Sequence, residues 1–170
     1  MIMRRMNIRG LLVLLTLIPF YIPDLSAQTL LSSERETLRG LKGFYVLIEE
    51  LDDIKQAGLT KSIKTDVELK FRKAGIRVLT RDEVFLTPGT PRLYVNVTSI
   101  KLKSARAFIF SVRVAFEQEV ILSRNRSIMT TGITWGQSYL QISPDLQDVR
   151  EVVSDLVDEF MNDYLAVNPK

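Results

Sequence analysis

Glu117 and Glu119 lie two residues apart in an alternating run, so on a strand they project from one face about 7 Å apart. That separation suits, in distance alone, the paired carboxylates of glycoside hydrolysis. Such chemistry sets its two acids on either side of a cleft, whereas these share one strand with Arg113 on the same face, and they read as part of a solvated, charged face. Glu49, Glu50, Asp52 and Asp53 form a second acidic group. They lack the alternating oxygen ligands and central Gly of a calcium loop, and so read as a solvated turn. Ser62 and Lys64 are too close in sequence for a Ser-x-x-Lys nucleophile. The eight Gly are scattered, and none builds a phosphate-cradling loop.

Two absences narrow the chemistry further. The chain has no His and no Cys, which removes imidazole bases, thiolate nucleophiles, the Ser-His and Cys-His triads and the usual zinc, copper and haem ligands. No catalytic, cofactor-binding or metal-ligating residue is assigned. Trp135 and Phe108 offer rings for ligand stacking, but on alternating strands they read as core. Lys101, Lys103 and Arg106 cluster near one hairpin end, and Arg124 and Arg126 near the next; without a nucleic-acid motif they read as solubilising strand-end charges.

The elements that carry these residues follow from the apolar pattern. Phe44 to Ile48 is a short run, apolar on both faces, that predicts a buried strand. Leu59, Ile63, Val67, Phe71 and Ala74 recur at helical spacing, with Thr60 as cap and Gly75 as stop. Ile76 to Leu79 gives a second strand, hence a β-α-β unit with parallel strands. A loop with Pro88, Gly89 and Pro91 follows. Leu93, Val95 and Val97 then alternate before the phase switches to Ile100 and Leu102, which predicts a bulge near Thr98 and Ser99.

Phe108, Phe110, Val112, Val114, Phe116, Val120 and Leu122 share one face of the next strand, opposite Ser111, Arg113, Glu117 and Glu119. Ser123 to Ser127 is a polar turn, and a further strand from Ile128 to about Ile142 sets Met129, Ile133, Trp135 and Tyr139 on one side. Ser143 and Pro144 introduce a final helix whose stripe is Leu146, Val149, Val153, Leu156, Phe160 and Tyr164, with an acidic remainder. The fold expected is α+β: a β-α-β unit, an antiparallel three-stranded meander and a carboxy-terminal amphipathic helix packed on the sheet.

The amino terminus has the order of a secretory signal: Arg4, Arg5 and Arg9, an apolar run from Leu11 to Ile22, then a polar stretch ending at Ala27. The run is shorter than the roughly 20 residues of a membrane span, and Pro19 and Pro23 interrupt its end. The domain plan is therefore residues 1–27 as signal peptide, 28–42 as polar lead-in and 43–170 as a single α+β domain. The first 27 residues hold three Arg and one Asp, so the remainder carries 20 basic and 19 acidic residues and the chain's +3 is mostly signal. Nucleic acid is not an expected partner on that balance. Without Cys the mature chain has neither disulfides nor a lipidated amino-terminal cysteine, and no stable membrane anchor is expected after cleavage. Asn96 and Asn125 each match a glycosylation acceptor pattern, but the lack of Cys favours a bacterial periplasm or exterior as the location.

Gly58-Leu59-Thr60, Thr65 to Leu69, Arg72 to Ile76, Leu93 to Val97 and the ending Asn162 to Pro169 resemble an uncharacterised family of small exported bacterial proteins. The resemblance implies export and supplies no site. The element order is similar to that of small periplasmic modules such as the amino-terminal domain of the Tol-Pal translocation protein, a likeness of architecture alone. The function expected is a non-enzymatic protein-binding or assembly module of the bacterial envelope, periplasmic or secreted. Its partner would be an envelope protein held at a sheet edge or a groove between helix and sheet. The rivals are a carboxylate-dependent hydrolase of envelope polysaccharide and a small-molecule carrier.

Overall fold

Aromatic and branched residues in succession make Phe44–Ile48 a strand, β1, with Phe44, Val46 and Ile48 buried. This computed structural model describes residues 33–49, 58–145 and 147–169. The expected signal peptide and the acidic residues Glu50, Asp52 and Asp53 lie outside them. Helix α1, Leu59–Lys73, turns Leu59, Ile63, Val67 and Phe71 inward, as its period requires. Gly75 then takes a left-handed φ of 73° and reverses the chain into β2, Val78–Leu79, which pairs parallel with β1. A one-turn helix, α2, Arg81–Phe85, occupies what the sequence suggested was loop. Thr80 and Glu83 form a reciprocal capping box at its start.

Three long strands follow: β3, Arg92–Leu102; β4, Ala107–Ile121; and β5, Met129–Ser143. Successive members pair antiparallel. β3 also pairs parallel with β1, so the five-stranded sheet is mixed, in the order β2-β1-β3-β4-β5. Helix α3, Asp148–Val167, lies with α1 on one face of the sheet. The core sits between these layers. Phe160 is its hub, with ring centroids 5.1 Å from Trp135, 5.3 Å from Phe44 and 5.4 Å from Phe116. Each such ring pair contributes about 0.5–1.5 kcal/mol beyond the area it buries. Among the described residues the opposite face of the sheet carries no long helix.

The α+β class is as the sequence predicts, with local corrections. β3 runs in unbroken register along β4 through Thr98 and Ser99, so there is no bulge there. Ser99 simply continues the buried face after Val97, its small hydroxyl fitting where an apolar residue was looked for. Ile100 stands outward, 62% exposed. The irregularity is in β5 instead: Phe116 opposes Trp135 but Glu117 opposes Ile133, which leaves Thr134 as the extra residue. Met129 and Ile133 therefore stand on the open face, exposed, while Trp135 and Tyr139 stand on the helix-covered face. The four do not share one side.

Helix starts also differ. Gly58, not Thr60, is the N-cap of α1. The last helix begins at Asp148 rather than at Pro144, because Ser143 remains paired with Phe108 as the final residue of β5. Leu146 lies outside the described residues. Residues 33–42, in the lead-in segment, pack on the domain: Leu38 is fully buried and Arg35 bonds Asp163 at 2.7 Å.

Candidate functional site

β4 sets Glu117 and Glu119 on the open face. Glu117 is held by Arg92, opposite it on β3, at 2.7 Å; Arg113, the neighbour expected from sequence, faces Asn96 and Ser138 instead. Glu119 borders a concavity of about 510 Å³ between α2 and the sheet, walled also by Tyr45, Leu47, Arg81, Phe85 and Arg92. Among the described residues Glu119 is the only acid lining it. The pair thus does not converge on one cleft as acid and base.

Glu49, at the end of β1, accepts hydrogen bonds from the Tyr94 hydroxyl and the Asn96 side-chain amide. Burial, followed by the adjacent Glu49 carboxylate, pushes the Tyr94 phenol up to about 12. Among the described residues no group of three or more acids is placed to hold a metal ion.

Ser62 and Lys64 do not meet in any bond, but the helices bring together a Ser and Lys that sequence spacing does not reveal. Lys70 of α1 lies 2.7 Å from the Ser154 hydroxyl of α3. Its nitrogen also donates to the Ser154 carbonyl at 3.1 Å and to Asp158 at 2.7 Å. Three acceptors around one nitrogen suit an ammonium that spends all three protons, which leaves no lone pair to activate the serine. The contact clamps α1 to α3.

Trp135 is buried in the core, its indole N–H donating to Asp163 at 2.9 Å, and Phe108 packs half-buried against the core with Lys101 over its ring. The two basic clusters, Lys101 at the end of β3 with Lys103 and Arg106 of the β3–β4 turn, and Arg124 and Arg126 of the β4–β5 turn, lie at opposite ends of β4 and do not form one surface.

The remaining feature is β5 itself. It is an outer strand of 15 residues, Met129–Ser143, and its sequence contains no Lys, Arg, Asp, Glu or Pro. The Leu122 amide donates toward β5, at Ile128, while the Glu119 amide donates the opposite way, to Gly89. Alternation along β4 then makes Phe116, Val114, Val112 and Phe110 the residues that bond β5, through Trp135, Gln137, Tyr139 and Gln141. The intervening residues Gly136, Ser138, Leu140 and Ile142 direct their backbone N–H and C=O groups away from β4, along an edge that is free among the described residues.

α3 runs antiparallel beside this edge. Asp148 near its start bonds the Ser143 hydroxyl, and Asp163 near its end bonds Trp135. Between the two elements lies a groove of about 350 Å³ lined by Tyr139, Gln141, Asp148, Glu151, Asp155 and Glu159. The last three acids are exposed, at helical spacing, and have no basic partner among the described residues. The acidic stripe was visible in the sequence; its placement beside an outer strand of the sheet was not.

No family model matches the chain, and no curated protein matches it. Among the described residues no helix is long and apolar enough to cross a membrane.

Proposed function

We propose that this chain is an exported, non-enzymatic protein-binding module of the bacterial envelope, and that it binds by accepting a strand from its partner at β5. The observation that carries this reading is the composition of the edge. Sheet edges are ordinarily blunted by charge, proline or brevity because their unpaired backbone groups recruit other strands. β5 has 15 residues with neither charge nor proline. A strand of that kind suits an edge that is covered in use.

The test is site-specific photo-cross-linking in the envelope of the host. A photoreactive residue at Leu140 is expected to give an adduct with a discrete envelope protein, and one at Arg77, beside the opposite edge, none. Adducts from Arg77 alone, or equally from both, would contradict binding at β5. Turnover of envelope polysaccharide that is lost in Glu117→Gln or Glu119→Gln would replace the binding reading with the hydrolase.

A further inference from the structure

We infer that the strand accepted by β5 is cationic on one face and apolar on the other, an extended segment in which Lys or Arg alternates with branched apolar residues. The inference rests on the proposed docking at β5 and adds the chemistry of the occupant.

A strand added to the sheet places its side chains alternately on the two faces. On the helix-covered face they would stand over the groove, where Glu151, Asp155 and Glu159 form a row along the edge. Glu151 and Glu159 are eight residues apart on α3, about 12 Å at 1.5 Å per residue. About four strand residues cover that distance, so about three same-face side chains, at i, i+2 and i+4, meet the acidic row. On the open face the alternate side chains fall beside Leu140 and Ile142, which are 68% and 65% exposed. One face thus selects for positive charge and the other for apolar bulk.

Charge also decides against the simplest alternative, a second copy of this chain. Two β5 strands paired edge to edge in one continuous sheet keep both α3 helices on the same side. Six acids and one base on each α3 would then flank the seam, and the exposed acidic rows would repel. The uncharged segment Gln28 to Ser32 would leave the row unanswered too.

The experiment measures binding of three fluorescent heptapeptides to the purified chain: Lys-Val-Lys-Val-Lys-Val-Lys, its Glu-Val counterpart, and the lysine peptide with a central proline. The first is expected to bind at least tenfold more tightly than either of the others. Glu151→Lys with Asp155→Lys is expected to reverse the preference between the first two, and Ser138→Pro, which blocks an outward amide, to weaken the first at least tenfold. Equal binding of the Lys-Val and Glu-Val peptides, abolished by Ser138→Pro, would leave docking at β5 standing and overturn the cationic partner. Equal binding of the proline peptide would reduce the effect to charge alone and overturn the strand. A stable dimer in sedimentation, dissociated by Ser138→Pro, would make the occupant a second copy; tight binding only after deletion of residues 28–32 would make it the chain's own segment. Either overturns the inference. Failure of every peptide to bind, together with absence of a Leu140 adduct in the envelope, would remove both readings.

Discussion

The two edges of the sheet are built on opposite principles. β2 is two residues long, is followed at once by a capped helix, and has beside it Arg77 paired with Glu83 at 2.7 Å. β5 is 15 residues long and uncharged, and among the described residues its protection against further pairing is confined to Thr134, where the bulge lies and the Thr37 hydroxyl of the lead-in segment bonds the Thr134 carbonyl at 3.2 Å, distant from Ser138 to Ile142. Brevity and charge at β2 leave an arriving strand almost nothing to extend. At β5 the outward backbone groups from Gly136 to Ile142 have no partner among the described residues, and a helix supplies an acidic wall beside them. The difference teaches that an outer position alone does not mark a docking surface: both strands are outermost in the sheet, and only one lacks the usual obstacles.

Substitutions at each edge separate these roles. Trp135→Ala should have the largest effect, because it empties a buried site where β5 meets Phe160 and removes the bond to Asp163. A loss of about 3–5 kcal/mol in denaturant unfolding is expected. Gly43→Ala tests the other side. Gly43 has φ 153°, and an added Cβ would lie 2.7 Å from the Arg77 carbonyl, which accepts the Phe44 amide. It should cost about 1–3 kcal/mol while leaving peptide affinity at β5 unchanged. A fall in affinity there would show that the two edges are coupled, against the separation drawn here.

Ser138→Pro acts in the opposite sense. It removes an outward donor without touching the bonds to β4, so unfolding free energy should stay within about 1 kcal/mol while binding falls at least tenfold. Unchanged binding would mean that the edge is not used. Tyr94, on the open face between the edges, supplies the smallest effect. Its phenol is raised to about 12 in the folded chain against an ordinary value near 10. The unfolded chain therefore releases that proton first, and the stability tied to the neutral phenol is full below about pH 10 and lost as pH rises toward 12. Ultraviolet titration should lose one late tyrosine equivalent in Tyr94→Phe, while that of Tyr164, which burial also raises, remains; an unchanged late amplitude would assign the shift elsewhere.

Much of this arrangement was legible in the sequence. The period of Leu59, Ile63, Val67 and Phe71 and the alternation from Phe108 to Phe116 encode which faces are buried, and both are faithful. Where a polar residue is buried, as Ser99 is, or one residue is inserted, as Thr134 is, apolar phase misleads, because it reports burial and not pairing. The candidate edge depended on strand order, which no local pattern contains. The neutrality of residues 129–143 could be read from the chain, but it acquires meaning only once β5 is known to have a neighbour on one side. Lys70 and Ser154 illustrate the same limit, since 84 residues separate partners that α1 and α3 bring to 2.7 Å.

The most direct measurement is backbone amide exchange, residue by residue, with and without saturating Lys-Val-Lys-Val-Lys-Val-Lys. Slowed exchange confined to the outward amides of Ser138, Leu140 and Ile142, with Val78 and Leu79 unaffected, is the result expected if β5 accepts a strand. Protection at the β2 edge, or none along β5 while the peptide is bound, would contradict it.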